Sequence, residues 1–459
     1  MTWALLALAL ALLPDQALMD AIPKGPYGLN VQNVLFALFI VALIEPFAWP
    51  PDPRRREWPR IGRIFALYLA LAFLATWYGF LITPMVGPPL ATEDFRIESW
   101  RDEATCALAF VVAARCVRSE SQMKKVLVVL LVASAYFIHY YLVRYYPEVE
   151  RIRLLPMPPG VREAEWADSQ KWMIKKMGGV FTTLNSNGMA AYYLYVAVFF
   201  TGLCWHWRSV VFRLLVATLI VFLGMGIFYS LSRGALVAAA AAIGYGIFHR
   251  RKWLVRVAAV GFVAIPILAG RLESLDGSAA TRLDLWNHAV KLGLRYPMGV
   301  GYRLFHLHHR LKYGLKLDTH NFFLRSWAEL GPLGAILVIA LVLACIRLGW
   351  LLHVRGRTDF ARGMGRGCSM MWVAIFVANL FGDRLSQVNL GIVAWTITGM
   401  TMSLLIMDEK CRLSELPVAA EAGGVPVFAR FGPVPEPVLA ASSLPDPHED
   451  SKAGTEAPG

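Results

Sequence analysis

Long apolar runs recur along the chain, separated by short polar stretches rather than interrupted by strict alternation. A bilayer core about 30 Å thick needs roughly 20 apolar residues in helical form. In lipid every backbone polar group must be satisfied within the spanning structure, and continuous runs select helices over a barrel of alternating ten-residue strands. Twelve runs fit this description: residues 3–13, 33–49, 61–82, 104–117, 126–143, 189–205, 210–230, 235–248, 253–269, 333–352, 370–380 and 391–407. The pattern predicts an all-α, polytopic transmembrane bundle of about 12 spans occupying residues 1–416. The first run is short and lacks a basic segment ahead of it, so it makes a poor signal peptide.

Basic clusters at 54–63, 115–125, 208–213, 249–256 and 347–366 occupy every second connection between the runs. The positive-inside rule assigns these connections to the cytoplasm. The segment around 83–101, a loop at about 144–188, the turn holding Ser232 and Arg233, and a large loop at about 270–331 then face outward. Twelve spans leave both termini inside. Residues 417–459 contain eight prolines and no apolar periodicity, which predicts a disordered cytoplasmic tail.

Composition agrees: 57% of the 459 residues are hydrophobic and 17% charged, with a mean hydropathy of +0.50, outside the range of soluble domains. The net charge of +13 does not call for nucleic acid, because topology accounts for most basic residues. Six cysteines lie in or at the ends of apolar runs with no pair at metal-ligand spacing, so neither a disulfide framework nor a zinc site is indicated.

The large outward loop departs from the charge rule, carrying nine Lys or Arg residues against five acids. A loop this long is little constrained by the rule, so the excess is either ordinary solvated surface or a site for an anionic ligand such as a diphosphate, to which guanidinium groups offer paired donors. The turn "YSLSRGAL" adds Arg233 at the outer surface, as a snorkelling anchor or as part of such a site, with Ser230 and Ser232 as possible hydroxyl donors. In the loop, an amphipathic helix carries Leu283, Trp286, Val290 and Leu294 on one broad face suited to the membrane surface. Arg282 lies near its start, and a turn at Pro297, Gly299 and Gly301 follows. In "DTHNFFLRSWAELGPLG", Asp318 or Thr319 is expected to cap a helix with His320 in its first turn, while Pro332 separates an approach helix from a span and Gly331 and Gly334 permit close packing. An imidazole there is either a cap or interfacial residue or a candidate general base, and the helix start together with Arg325 should disfavour its charged form. The "HLHH" stretch at 306–309 has no carboxylate at useful spacing, and the chain has no Asp-x-Asp pair for a divalent metal.

His320-Asn321 followed by Gly331-x-x-Gly334, with Asn185 and Asn187, with Ser232-Arg233-Gly234 and with Arg282, Trp286, Pro297, Gly299 and Gly301, resembles the O-antigen ligase and polymerase superfamily of bacterial envelope glycosyltransferases. The resemblance covers roughly the second half of the chain. It implies metal-independent, nucleotide-independent, inverting transfer of a glycan from an undecaprenyl-diphosphate carrier to an acceptor hydroxyl on a glycolipid such as lipid A core, or on another glycan, at the periplasmic face. It also implies His320 as the essential histidine, Arg233 and Arg282 as diphosphate-binding residues, and Asn321, Ser232, Gly331 and Gly334 in support, with no cofactor. A polymerase or a protein O-oligosaccharyltransferase would use the same site. A transporter of anionic or lipid-linked solutes is the alternative of another class; it would place charged or broken helices at mid-membrane depth, whereas here the spans are mostly uncharged at their centres.

Overall fold

The computed structural model describes residues 2–12, 31–44, 60–83, 86–89, 94–140, 143, 146–177, 186–207, 209–230, 232–247, 278–314 and 317–414. Within them the regular elements are all helices: α1 (Thr2–Leu12), α2 (Val31–Ile44), α3 (Arg60–Ile82), α4 (Phe95–Cys116), α5 (Glu120–Tyr140), α6 (Tyr146–Arg153), α7 (Glu163–Met177), α8 (Ser186–Cys204), α9 (Val210–Tyr229), α10 (Arg233–Ile247), α11 (Ser278–Arg295), α12 (Phe305–Tyr313), α13 (Phe322–Arg355), α14 (Asp359–Leu380) and α15 (Val388–Ser414). The expected span at 253–269 and the expected tail at 417–459 lie outside the described residues.

Among the described residues six helices are long and apolar enough to cross a membrane, namely α3, α5, α8, α9, α13 and α15; α2 and α10 contain shorter apolar stretches. The runs at 3–13, 104–117 and 370–380 coincide with α1, α4 and α14, which fall short of that standard in length or polarity. The expectation of an all-helical membrane bundle is therefore supported, with six such helices among the described residues. α4 begins nine residues before its apolar run because Asp94 caps it, the carboxylate accepting from the Arg96 N–H at 2.8 Å. The loop at 144–188 contains the short helices α6 and α7.

The centre of the bundle is α13 packed along α14, with α8 and α10 on the other side of α14 and α3 against α13. Small residues set these distances: a side chain at Gly349 would sit 2.5 Å from the Ser369 nitrogen, and one at Gly202 would sit 2.5 Å from the Gly367 Cα. Buried aromatic rings fill the space around α15, where Trp395 lies 4.4 Å from Phe65 and 4.8 Å from Trp372 between ring centroids. The short connection from Arg355 to Asp359 reverses the chain, and Glu120 at the start of α5 accepts from the Thr358 hydroxyl at 2.6 Å. The basic connections at 115–125 and 347–366 thus share one end of the bundle. The start of α13 and the end of α14 lie at the opposite end, the 22 residues of α14 spanning about 33 Å.

At that opposite end α13 is broken. Gly331 leaves the helical region with φ 71° and ψ −174°, and Pro332 has no N–H for the Ala328 carbonyl four residues back. The glycine turn after α11 fills the vacancy: Val300 N–H donates to the Ala328 carbonyl at 2.9 Å and Gly301 N–H to the Glu329 carbonyl at 3.1 Å. Gly299 and Gly301 have φ of 80° and 105°, a region that side chains disfavour, and a Cβ on Gly299 would meet the Glu329 carbonyl oxygen at 2.2 Å. A Cβ on Gly301 would meet the Gly79 Cα of α3 at 2.4 Å, so the turn is wedged between two helices.

Two alanine substitutions separate wedging from backbone strain. Gly160 also has positive φ, 83°, but nothing lies within 4 Å of an added Cβ. Gly160→Ala should cost about 1–2 kcal/mol, the penalty for left-handed backbone, and Gly299→Ala roughly 1–3 kcal/mol more from overpacking. Apparent melting temperatures in detergent measure both, and equal shifts would mean that the turn is not clamped against α13.

Candidate active site

The helix start at residue 322 is capped differently from the sequence expectation. Asn321, with extended backbone at φ −148°, is the cap: its side-chain oxygen accepts from the N–H groups of Phe323 and Leu324, each at 3.1 Å. Neither Asp318 nor Thr319 caps, because the Thr319 hydroxyl is engaged with the backbone of Asn321, donating to its carbonyl at 2.9 Å and accepting from its N–H at 3.2 Å. His320 consequently stands outside the helix rather than in its first turn. It is exposed and holds φ at 51°, an uncommon conformation for a residue with a side chain and a form of local strain that clusters at functional sites. The Trp286 indole N–H donates to the Thr319 carbonyl at 2.9 Å, fastening α11 to this turn.

The surroundings of His320 disfavour its charged form. Partial desolvation is the main cause; Asp318 opposes it, and Arg282 and Arg384 act in the same direction as burial. The sequence reading expected this direction but attributed it to the helix start and Arg325. Arg325 is instead buried and paired with Asp383, and its Nε lies 3.5 Å from Glu329.

Asp383 also binds Arg303 at 3.3 Å, and Arg303 lies 3.8 Å from Glu103 of α4. Burial works against the Arg303 charge, but Tyr302, Glu103 and Glu329 outweigh it and hold the guanidinium more firmly protonated than usual. Arg303 reaches this centre from a non-glycine position with φ 61°. The network ties together α4, the glycine turn, α13 and the connection after α14. Two of the nine basic residues of the large loop are therefore neutralised internally.

Arg282 and Arg384 contrast with them. Both are half-buried, and neither forms an ion pair with a described residue. Arg384 lies in residues 381–387 between α14 and α15, and the sequence reading missed it. Its signal is an arginine in a short connection that the positive-inside rule assigns to the outer face. The same connection touches the Ser-Arg-Gly turn: a Cβ on Gly234 would sit 2.8 Å from the Phe381 Cβ. Ser232 is buried, and its carbonyl accepts the first bonds of α10 from Ala235 at 3.1 Å and Leu236 at 3.3 Å. The backbone of Arg233 opens α10 at this contact; its side chain is outside the described part. Asn187 lies in the first turn of α8, and Asn185 falls outside the described residues.

The fold thus fastens the helix bearing Arg282 to the His320 turn through Trp286, ties the connection bearing Arg384 to the start of α13 through the Arg325–Asp383 pair, and places the Arg233 backbone beside that connection. Gly331 forms the break in α13 and packs against the Pro297 carbonyl, where an added Cβ would lie 2.0 Å away, while Gly334 faces Leu330 one turn back. On α11 the buried face is Leu285, Ala289 and Leu292, and the predicted interfacial residues Leu283, Val290 and Leu294 are exposed. Around the "HLHH" stretch, the His288 and His309 rings stand 5.6 Å apart and His308 Nε2 is 3.0 Å from the Thr83 hydroxyl. No three His, Cys, Asp or Glu side chains among the described residues converge as metal ligands.

Residues 218–339 match the family model for O-antigen ligase, Wzy_C, over little more than a quarter of the chain. The segment includes Arg233, Arg282, His320, Asn321, Gly331 and Gly334, and it belongs to the O-antigen ligase superfamily. Six helices long and apolar enough to cross a membrane accompany that match, which together support a multi-pass membrane protein whose residues 218–339 are similar to O-antigen ligase. No curated protein matches the chain by sequence.

The pH dependence of any reaction using neutral His320 follows from these charges. Activity should be lost as pH falls through the His320 pKa, and that limb should lie below the ordinary imidazole value of about 6.5. Arg282→Ala or Arg384→Ala removes a cation that favours the neutral ring and should move the limb to higher pH; Asp318→Asn should move it lower. Rate profiles between pH 5 and 8, to be read at about half-unit spacing, check the signs, and unmoved limbs would remove His320 as the titrating group.

Proposed function

We propose that the protein is an O-antigen ligase-like glycosyltransferase of the bacterial inner membrane, moving a glycan from an undecaprenyl-diphosphate carrier to an acceptor hydroxyl at the periplasmic face. The observation that carries this reading is an exposed imidazole, biased toward its neutral form, near an arginine that forms no ion pair with a described residue, both inside the family-matched segment.

In the reaction, the acceptor oxygen attacks the anomeric carbon from the face opposite the diphosphate, inverting that centre. The C–O bond to the diphosphate breaks and undecaprenyl diphosphate leaves with the bonding electrons. His320 takes the acceptor proton, a task suited to a base that is neutral at the working pH. Negative charge gathers on the diphosphate as the bond breaks, so arginines placed there beforehand, Arg233 and Arg282, stabilise the transition state more than the ground state. Asn321 fixes the backbone beside His320 through its cap, and the break at Gly331 holds the loop bearing Arg282 against the span. No metal or nucleotide enters this scheme. A ligase, a polymerase and a protein O-oligosaccharyltransferase differ only in the acceptor.

Purified protein in liposomes, supplied with a diphosphate-linked glycan and candidate acceptors, should release undecaprenyl diphosphate without an ion gradient. His320→Ala should lower turnover by at least about 100-fold, the contribution expected of a general base, with insertion and melting temperature intact. Arg233→Ala and Arg282→Ala should impair donor use far more than acceptor use. Gradient-driven movement of intact glycan-lipid would instead indicate transport.

A further inference from the structure

Arg384 lies outside the family-matched segment and outside the residues assigned so far. Its backbone is held rigidly. The Asn379 side chain, fully buried, donates to the Ile375 carbonyl at 2.7 Å and accepts from the Arg384 and Leu385 N–H groups at 2.9 and 3.1 Å. An added Cβ on Gly382 would meet Arg384 Nη2 at 2.8 Å, so the guanidinium folds back across that glycine.

The neighbouring acid does not neutralise it. Asp383 is occupied by Arg325, by Arg303 and by the Ser386 hydroxyl, which donates at 2.5 Å. Close to Arg384 the Tyr195 hydroxyl is buried, the residue only 1% exposed, on the side of Asn379. Burial weakens the hold of Arg384 on its proton; Tyr195 opposes this and Arg282 adds to it, as expected for like charges that act on each other. Holding two guanidinium groups in this way is unfavourable until an anion joins them.

We infer that Arg384 is a further cationic contact for the donor's diphosphate, supplied by the α14–α15 connection, which the Asp383–Arg325 pair holds against the helix start that follows His320. This rests on the reading of the protein as a diphosphate-dependent glycan transferase. The shared chemistry is a pair of linked phosphates. A phosphate borne by the acceptor is the other source of such an anion, and it is separated from the donor by kinetics.

The test uses the full chain in nanodiscs, with undecaprenyl diphosphate and undecaprenyl monophosphate as probes of direct binding to the native protein, Arg384→Gln and Arg384→Lys. Arg384→Gln should weaken diphosphate binding by about 10- to 100-fold, the value of one charge-assisted contact, and monophosphate binding much less. Arg384→Lys should recover most of the difference, since it restores charge at the same site. In transfer assays the loss should fall on the donor KM. Equal weakening toward both lipids, or a lowered melting temperature that Arg384→Lys does not restore, would make Arg384 structural and overturn the proposal. A change confined to the acceptor KM would assign it to the acceptor and overturn it as well. If the native protein transfers glycan and Arg384→Gln binds and turns over as the native does, the Arg384 proposal fails alone. If the native protein neither binds the diphosphate lipid nor transfers glycan, the functional reading falls and takes this one with it.

Discussion

The arrangement of this end of the bundle depends on two backbone carbonyls. A proline inside a helix leaves a carbonyl without its donor, and in an apolar setting an unpaired carbonyl is costly. At Ala328 and Glu329 the donors come from Val300 and Gly301, in a turn distant from the break along the chain. The break in α13 and the glycine turn are therefore one structure: each supplies what the other lacks. Once the turn is seated, α11 is fixed against α13, Trp286 reaches the Thr319 carbonyl, and Arg282 is brought to the neighbourhood of His320.

The same seating sorts the cations into two groups. Arg303 and Arg325 point inward, where Glu103, Glu329 and Asp383 compensate their charges. Breaking a buried pair of this kind typically costs about 3–5 kcal/mol, whereas an exposed pair contributes less than about 1 kcal/mol, so this network serves as the structural tie between four segments. Arg282 and Arg384 form no ion pair with a described residue, and the imidazole they act on is biased toward neutrality. A base and an uncompensated positive field at the same end are the two elements that transfer from a diphosphate leaving group requires.

Much of this was legible in the sequence, for identifiable reasons. Apolar runs report burial in lipid directly, so most described helices coincide with predicted ones, and Pro332 with its flanking glycines marked the break. The cap was misplaced because Asp318, Thr319 and Asn321 are all good cap residues. The choice among them depends on where the Thr319 hydroxyl finds its partner, which is a tertiary matter. Arg325 looked like the cation nearest His320 because it is near in sequence; one helical turn is enough to send its side chain into the core instead. Arg384 was missed because proximity between the α14–α15 connection and the His320 turn follows from helix packing, not from any local pattern. The start of α4 was placed late because its first turns are polar and are held by the Asp94 cap rather than by lipid.

The most direct measurement is an experimental structure of the protein in nanodiscs with a non-transferable undecaprenyl-diphosphate glycan bound. The phosphates should lie between Arg282 and Arg384, with the start of α10 beside them and the anomeric carbon on the side of His320. Phosphate density at the opposite end of the bundle, near the basic connections at 115–125 and 347–366, or on a face remote from His320, would contradict the proposed site.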